Sequence, residues 1–245
     1  MYNICPKFSK FDEKITNFGR ILPKFNKRVE MKILLATWNH GKVKEIKEFY
    51  NEFEIYALNE VLEPFEIVED GKTFKENALI KARAVFEKLK EKNLQDEFVV
   101  LSDDSGISVE AIDWRPGIFS ARYSGENATD ATNRAKVISE LNSLNLSQSR
   151  AFYTACIAVV SKFGEFSAHG FMHGKVINEE RGEHGFGYDF MFIPDGFSQT
   201  IGELPIEIKL KISHRTKGLT IAKHILDILS RIISQKIWKI WKKFY

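Results

Sequence analysis

The sequence predicts an α/β fold built on a mixed β-sheet, and three observations predict it. Short apolar runs of strand length recur at residues 32–37, 53–56 and 98–101, each bounded by polar residues. Helix-length amphipathic segments separate them, the usual connection between parallel strands. Two longer strand-like stretches, around 151–162 and 165–177, then meet at Lys162-Phe163-Gly164 and read as an antiparallel hairpin.

Taken in order, Lys32-Ile33-Leu34-Leu35-Ala36-Thr37 is a buried strand. Gly41 to Tyr50 follows as a helix, with Val43, Ile46, Lys47 and Tyr50 along one face. Phe53-Glu54-Ile55-Tyr56 returns as a strand. Thr73-Phe74-Lys75-Glu76 reads as a capping box that opens a helix to about Lys92. Phe98-Val99-Val100-Leu101 is a further buried strand, expected to end in a turn at Ser102-Asp103-Asp104-Ser105-Gly106 because Asp, Ser and Gly are turn formers. Thr129 caps a helix to Leu141, the hairpin follows, and residues 216–233 form a last helix.

Residues 31–230 read as one domain. Residues 1–30 scatter single aromatics among lysines and read as a disordered leader, or as a start placed ahead of a true one at Met31. Residues 231–245 read as a basic amphipathic helix. Ile233, Ile237, Ile240, Trp241 and Phe244 alternate there with Lys236, Lys239, Lys242 and Lys243, a pattern expected to dock on its own domain or on a sister subunit. A net charge of +3 over 245 residues is too mild for a nucleic-acid specialist. No apolar run approaches a membrane span, and the leader lacks a secretory pattern. The expectation is a cytoplasmic protein with no nucleic-acid partner and no stable membrane association. Cys5 and Cys156 make no disulfide framework, and Cys156 reads as a buried thiol.

Four stretches carry chemistry. Thr37-Trp38-Asn39-His40-Gly41-Lys42 joins a strand to a helix, where free backbone N–H groups and a lysine suit a phosphate. An ordinary capped turn would look the same. Asp103 and Asp104 repel each other unless a cation or donor intervenes, and phosphoryl chemistry supplies one in Mg²⁺. Gly185-Phe186-Gly187-Tyr188-Asp189 offers close backbone approach and aromatic faces for a base, or else a loop with its rings in the core. Lys209-Leu210-Lys211-Ile212-Ser213-His214-Arg215 gathers cations just ahead of a helix, either to grip a polyphosphate or as a solvated turn. His169 and His173 are a poor zinc pair, since no Cys or further His joins them.

Taken together and in this order, LLATWNHGK, VEDGKTFKENALIKA, LSDDSGISVEA, PGIFSARYSGENATD, GFGYDFMFIPDGF and KISHR resemble the inosine triphosphate pyrophosphatase family (Ham1/RdgB-like XTP/dITP diphosphatases). The resemblance covers residues 31 to about 230. It implies a two-lobed α/β fold, a mixed β-sheet with flanking helices, a nucleotide cleft between the lobes, and a homodimer. It implies Mg²⁺-dependent hydrolysis of ITP, dITP and XTP to monophosphate and pyrophosphate. Carried over, Thr37, Trp38, Asn39, His40, Gly41 and Lys42 would hold the triphosphate. Ser105, Phe186, Gly187, Tyr188, Asp189, Lys209, His214 and Arg215 would bind the nucleotide. Glu69 and Asp104 would hold the metal, with Asp104 also taking the proton of the attacking water and Glu76 as an added metal contact. Trp38 stands where the family usually has glycine, and Phe190 where it usually has proline.

That reading implies that Lys42, Lys209 and Arg215 stabilise the charge developing on the phosphates. A donor at the purine 6-position would accept a 6-oxo base and reject adenine. Two rivals remain at this stage: a pyrophosphatase for dUTP or a modified pyrimidine, and a non-catalytic nucleotide-binding module.

Overall fold

The computed structural model describes residues 31–234. The leader at 1–30 and the tail positions Lys236 to Phe244 lie outside the described residues. In chain order the elements are β1 (Lys32–Leu35), α1 (His40–Phe49), β2 (Glu54–Ala57), α2 (Phe74–Glu91), β3 (Phe98–Val109), α3 (Asp130–Ser143), β4 (Gln148–Ser161), β5 (Gly164–Ile177), β6 (Phe192–Pro194), α4 (Ile206–Ile212) and α5 (His214–Ser234), with short 3-10 turns between some of them.

The strands form one sheet in the order β2-β1-β3-β4-β5-β6. β1 runs parallel to both β2 and β3, whereas β3, β4, β5 and β6 pair antiparallel. This is the expected mixed sheet, with the expected hairpin.

Strand alternation decides which helix covers which face. Ile33, Leu35, Val99, Leu101, Ile157 and Val159 pack with Ile46 of α1 and Leu219 and Leu226 of α5. Their neighbours Leu34, Val100, Cys156, Ala158 and Val160 pack with Ala78, Ala82, Val85 and Leu89 of α2. A third cluster joins the far half of β3 (Ile107, Val109) to Tyr153, Met172, Phe192 and to Val137 and Leu141 of α3. Strand β3 therefore runs through every core in the molecule that has been described. Truncating its buried Leu101 to alanine would cost about 2–5 kcal/mol.

Three local expectations are corrected. Strand β3 does not end at Leu101; it continues through Ser102, Asp103, Asp104 and Ser105, which pair with Ala158, Ile157, Cys156 and Ala155 of β4. The ladder and the long apolar partner strand override the turn preference of Asp, Ser and Gly. The capping box is half formed. Thr73 accepts from Glu76 N at 3.1 Å, but the Glu76 carboxylate accepts from Lys72 N at 2.6 Å instead of from Thr73. Finally, Lys209 lies inside the short helix α4, and His214 and Arg215 begin α5, so the cations are not a turn ahead of a helix.

Candidate active site

Because β3 runs on, its two adjacent aspartates face opposite sides of the sheet. Asp103 shares the face of Val99 and Leu101 and looks toward α1 and α5. Asp104 shares the face of Val100 and looks toward α2. Each meets a cation from the helix above it.

On the α1/α5 side, Arg215 donates from Nε to Asp103 Oδ2 at 2.6 Å and from Nη2 to Ser105 Oγ at 3.1 Å. Lys42 Nζ donates to the Asp103 carbonyl at 3.2 Å and lies 3.5 Å from its carboxylate. Glu45, one turn into α1, pairs with Arg215 through Nη1 and with Lys209 Nζ at 2.6 Å. Lys209 also donates to Asp189 Oδ2 at 2.7 Å. A continuous chain of charges thus runs from Lys42 through Asp103, Arg215, Glu45 and Lys209 to Asp189. The Phe186 ring covers it, with Lys209 Nζ 4.6 Å and the Arg215 guanidinium 5.4 Å from its centroid.

On the α2 side, Lys81 Nζ donates to Asp104 Oδ1 at 2.6 Å and to Glu69 Oε2 at 2.9 Å. The other oxygen, Asp104 Oδ2, is buried without a hydrogen-bond partner. Asp103 Oδ1 is left the same way, and buried carboxylate oxygens normally have a partner, so each aspartate keeps one oxygen for a further donor or cation.

Environment separates the two aspartates electrostatically. Burial opposes ionisation of Asp103, but Arg215 and Lys42 outweigh it and hold the carboxyl well below the usual range. At Asp104 burial wins over Lys81 and the carboxyl is raised. Asp189 is raised as well, again by burial against the pull of Lys209. Lys42 is lowered by burial despite Asp103. Burial and the adjacent Arg215 push His214 well below the ordinary imidazole value, so it is neutral at physiological pH.

The structure brings Lys42, Asp104, Ser105, Phe186, Asp189, Lys209, Arg215 and Glu69 into this arrangement. Thr37, Trp38, Asn39 and His40 form the approach to α1. Thr37 Oγ1 accepts from Asn39 N at 3.2 Å, and Asn39 Oδ1 caps the helix through Lys42 N at 3.0 Å. Trp38 is 44% exposed. Gly41 touches Phe186 so closely that an added Cβ would come within 2.7 Å of its ring. Tyr188 and His214 are buried like Arg215 and Lys209: Tyr188 donates to the Ser120 carbonyl at 2.8 Å, and the His214 ring stacks on Tyr153 at 4.5 Å. Gly187 adopts φ +60° between Phe186 and Tyr188. Glu76 is exposed, with its carboxylate engaged at Lys72. His169 and His173 lie four residues apart on β5, about 13 Å at the usual rise, too far for one ion.

Glu45, Lys81 and the role of Asp103 were not anticipated. A signal existed for Lys81: it interrupts the buried stripe of Asn77, Ala78, Ala82, Val85, Phe86 and Leu89, where a lysine needs a partner. Glu45 sits beside buried Ile46 in the same way.

Glu69 and Asp104 form an all-oxygen donor pair of the kind Mg²⁺ takes, one or two carboxylates with waters and phosphate completing the shell. The unpartnered Asp104 Oδ2 fits that role. Among the described residues no group of three or more His, Cys, Asp or Glu could hold a metal.

A mixed sheet whose central strand turns one carboxylate to Arg215 and Lys42 and the next to a lysine shared with Glu69 defines the class: an α/β protein with a buried charge network on both faces of β3. The chain belongs to the Ham1 family, whose model matches residues 33–224. It is 66% identical over 201 residues to the dITP/XTP pyrophosphatase of Campylobacter fetus subsp. fetus (strain 82-40), covering 82% of this chain and 98% of the relative. The dITP/XTP pyrophosphatase of Campylobacter jejuni subsp. jejuni serotype O:2 (strain ATCC 700819 / NCTC 11168) is 57% identical, covering 82% and 100%. Among solved structures, a HAM1 protein from Coxiella burnetii matches with a TM-score of 0.69 at 35% identity, covering 80% of this chain and 98% of that one. The Staphylococcus aureus Ham1 protein has the same TM-score and coverage at 31% identity.

Proposed function

We propose that this chain hydrolyses non-standard purine nucleoside triphosphates, dITP, XTP and ITP, to the monophosphate and pyrophosphate. The observation that carries the proposal is the division of labour at Asp103 and Asp104. One aspartate is kept ionised against burial by Arg215 and Lys42; its neighbour shares the Lys81 ammonium with Glu69, which brings two carboxylates together. Relatives of 57% and 66% identity carrying the name dITP/XTP pyrophosphatase support the substrate class.

In this reading Lys42 and the N-terminal turn of α1 receive the triphosphate. Arg215 and Lys209 are held in place by Asp103, Glu45 and Asp189, so their positive charge is preorganised where phosphate charge develops. Glu69 and Asp104 would hold Mg²⁺, which when bound would supply charge neutralisation on the phosphates. Asp104 would accept the proton of the attacking water. Phe186 offers the ring face beside the cations.

The same proposal includes a cytoplasmic location and a homodimer. No helix among the described residues is long and apolar enough to cross a membrane, and sedimentation of the purified chain reads the dimer directly. The deciding experiment measures pyrophosphate release from dITP, XTP, GTP, ATP and dUTP with Mg²⁺ and with a chelator. Release from dITP and XTP, lost with the chelator, is expected. Preference for dUTP would replace the purine reading with a pyrimidine one, and no release from any of the five would remove the enzymatic reading.

A further inference from the structure

Both backbone polar groups of Gly187 are held by the first turn of α3. The N–H of Gly187 donates to Asp130 Oδ2 at 2.8 Å, and its carbonyl accepts from Arg134 Nη1 at 2.8 Å. Asp130 and Arg134 are four residues apart, so one helix face presents an acceptor and a donor together. Arg134 is in turn fixed from two sides. Its Nε lies 2.8 Å from Glu180 Oε2, and its guanidinium carbon lies 4.6 Å from the centre of the Phe190 ring. On the other flank, Phe186 N donates to Asp189 Oδ2 at 2.9 Å. The residue whose ring covers Lys209 and Arg215 is thereby tied down at its own amide and through the peptide that follows it.

We propose that Asp130 and Arg134, with Phe190 behind the guanidinium, are a clamp that positions Phe186 and so sets the grip on the nucleoside part of the substrate. None of the three touches the cation chain that would receive the phosphates, which is why the effect falls on the nucleoside. A flat apolar ring next to a phosphate site is the usual platform for a base. The inference rests on the functional reading above. Arg134 and Asp130 are positioning residues in this account, not catalytic ones.

The test compares Arg134→Ala, Arg134→Lys and the wild-type protein. For Arg134→Ala, KM for dITP should rise about tenfold with kcat within about threefold. Inhibition by inorganic triphosphate, which has no base, should change by less than about twofold. Arg134→Lys keeps a donor for the Gly187 carbonyl and should recover most of the KM. Amide hydrogen exchange at Gly187, read by NMR, should accelerate in Arg134→Ala and slow again in Arg134→Lys. An unchanged KM in folded Arg134→Ala, a fall in kcat alone, or an equal weakening of inorganic triphosphate would each overturn the proposal. Should Arg134→Ala not fold, Asp130→Asn against Asp130→Ala takes its place. Asparagine keeps the acceptor and should keep the KM, while equal KM values for the two would overturn the clamp. A wild-type protein that turns over neither dITP nor XTP would remove the functional reading alone, and Gly187 exchange would still judge whether the clamp holds the loop.

Discussion

The ammonium of Lys81 stands 2.6 Å from Asp104 Oδ1 and 2.9 Å from Glu69 Oε2, so one cation from α2 draws together two carboxylates from different segments. Without it the pair would repel and Asp104 would be harder still to ionise. Lys81→Ala should therefore move the acid limb of the kcat/KM profile to higher pH. A profile that superimposes on the wild type would remove Lys81 from this role.

Asp104 shares a buried pair with Lys81. Burial raises the proton affinity of Asp104, whereas at Lys81 burial is outweighed by Asp104 and Glu69 and the proton affinity is raised as well, so the pair and not the carboxyl alone sets the balance. Asp104→Asn should cut turnover by about a hundredfold or more. Turnover near the wild-type value in folded protein would remove Asp104 from the proton transfer.

Asp103 has the opposite sign. Its carboxyl is held low, so its stabilisation is complete above the unfolded value and is lost as pH falls through the folded one. Glu45 is also lowered: burial opposes its ionisation, and Arg215 and Lys209 outweigh that. Asp103→Asn should destabilise the protein by about 3–5 kcal/mol at pH 7, the usual result of leaving one member of a buried pair. Urea titrations at pH 7 and pH 3 should show the gap between variant and wild type narrowing in acid. A gap independent of pH would place the effect in packing instead.

Gly41 and Phe186 are in direct opposition, since a Cβ at Gly41 would meet the ring at 2.7 Å. Gly41→Ala should raise KM by displacing the ring. Combining it with Phe186→Leu should give less than the sum of the two single effects, because the shorter side chain can retreat. Strict additivity in the double-mutant cycle would show that the contact carries nothing.

What was legible in the sequence was what neighbours in sequence decide. The apolar run 33–35, the Thr129 cap and the hairpin turn at 162–164 all follow from local period or local hydrogen bonds. The continuation of β3 did not, because Ser102 to Ser105 are held in the sheet by residues fifty or more positions away on β4. The burial of Lys209, His214 and Arg215 was not legible for the same reason. The partners that allow Arg215 to be buried, Asp103 and Glu45, lie 112 and 170 residues from it. In the site, motifs located the cations and the metal-type carboxylates, while Glu45, which pairs with both Arg215 and Lys209, lay outside every motif.

Strand β3 belongs to the core under α1 and α5, the core under α2, and the core against α3, with Asp103, Asp104 and Ser105 near its midpoint. A substitution that shifts β3 therefore disturbs three cores and both aspartates at once, so the chemistry cannot drift without the whole fold resisting it.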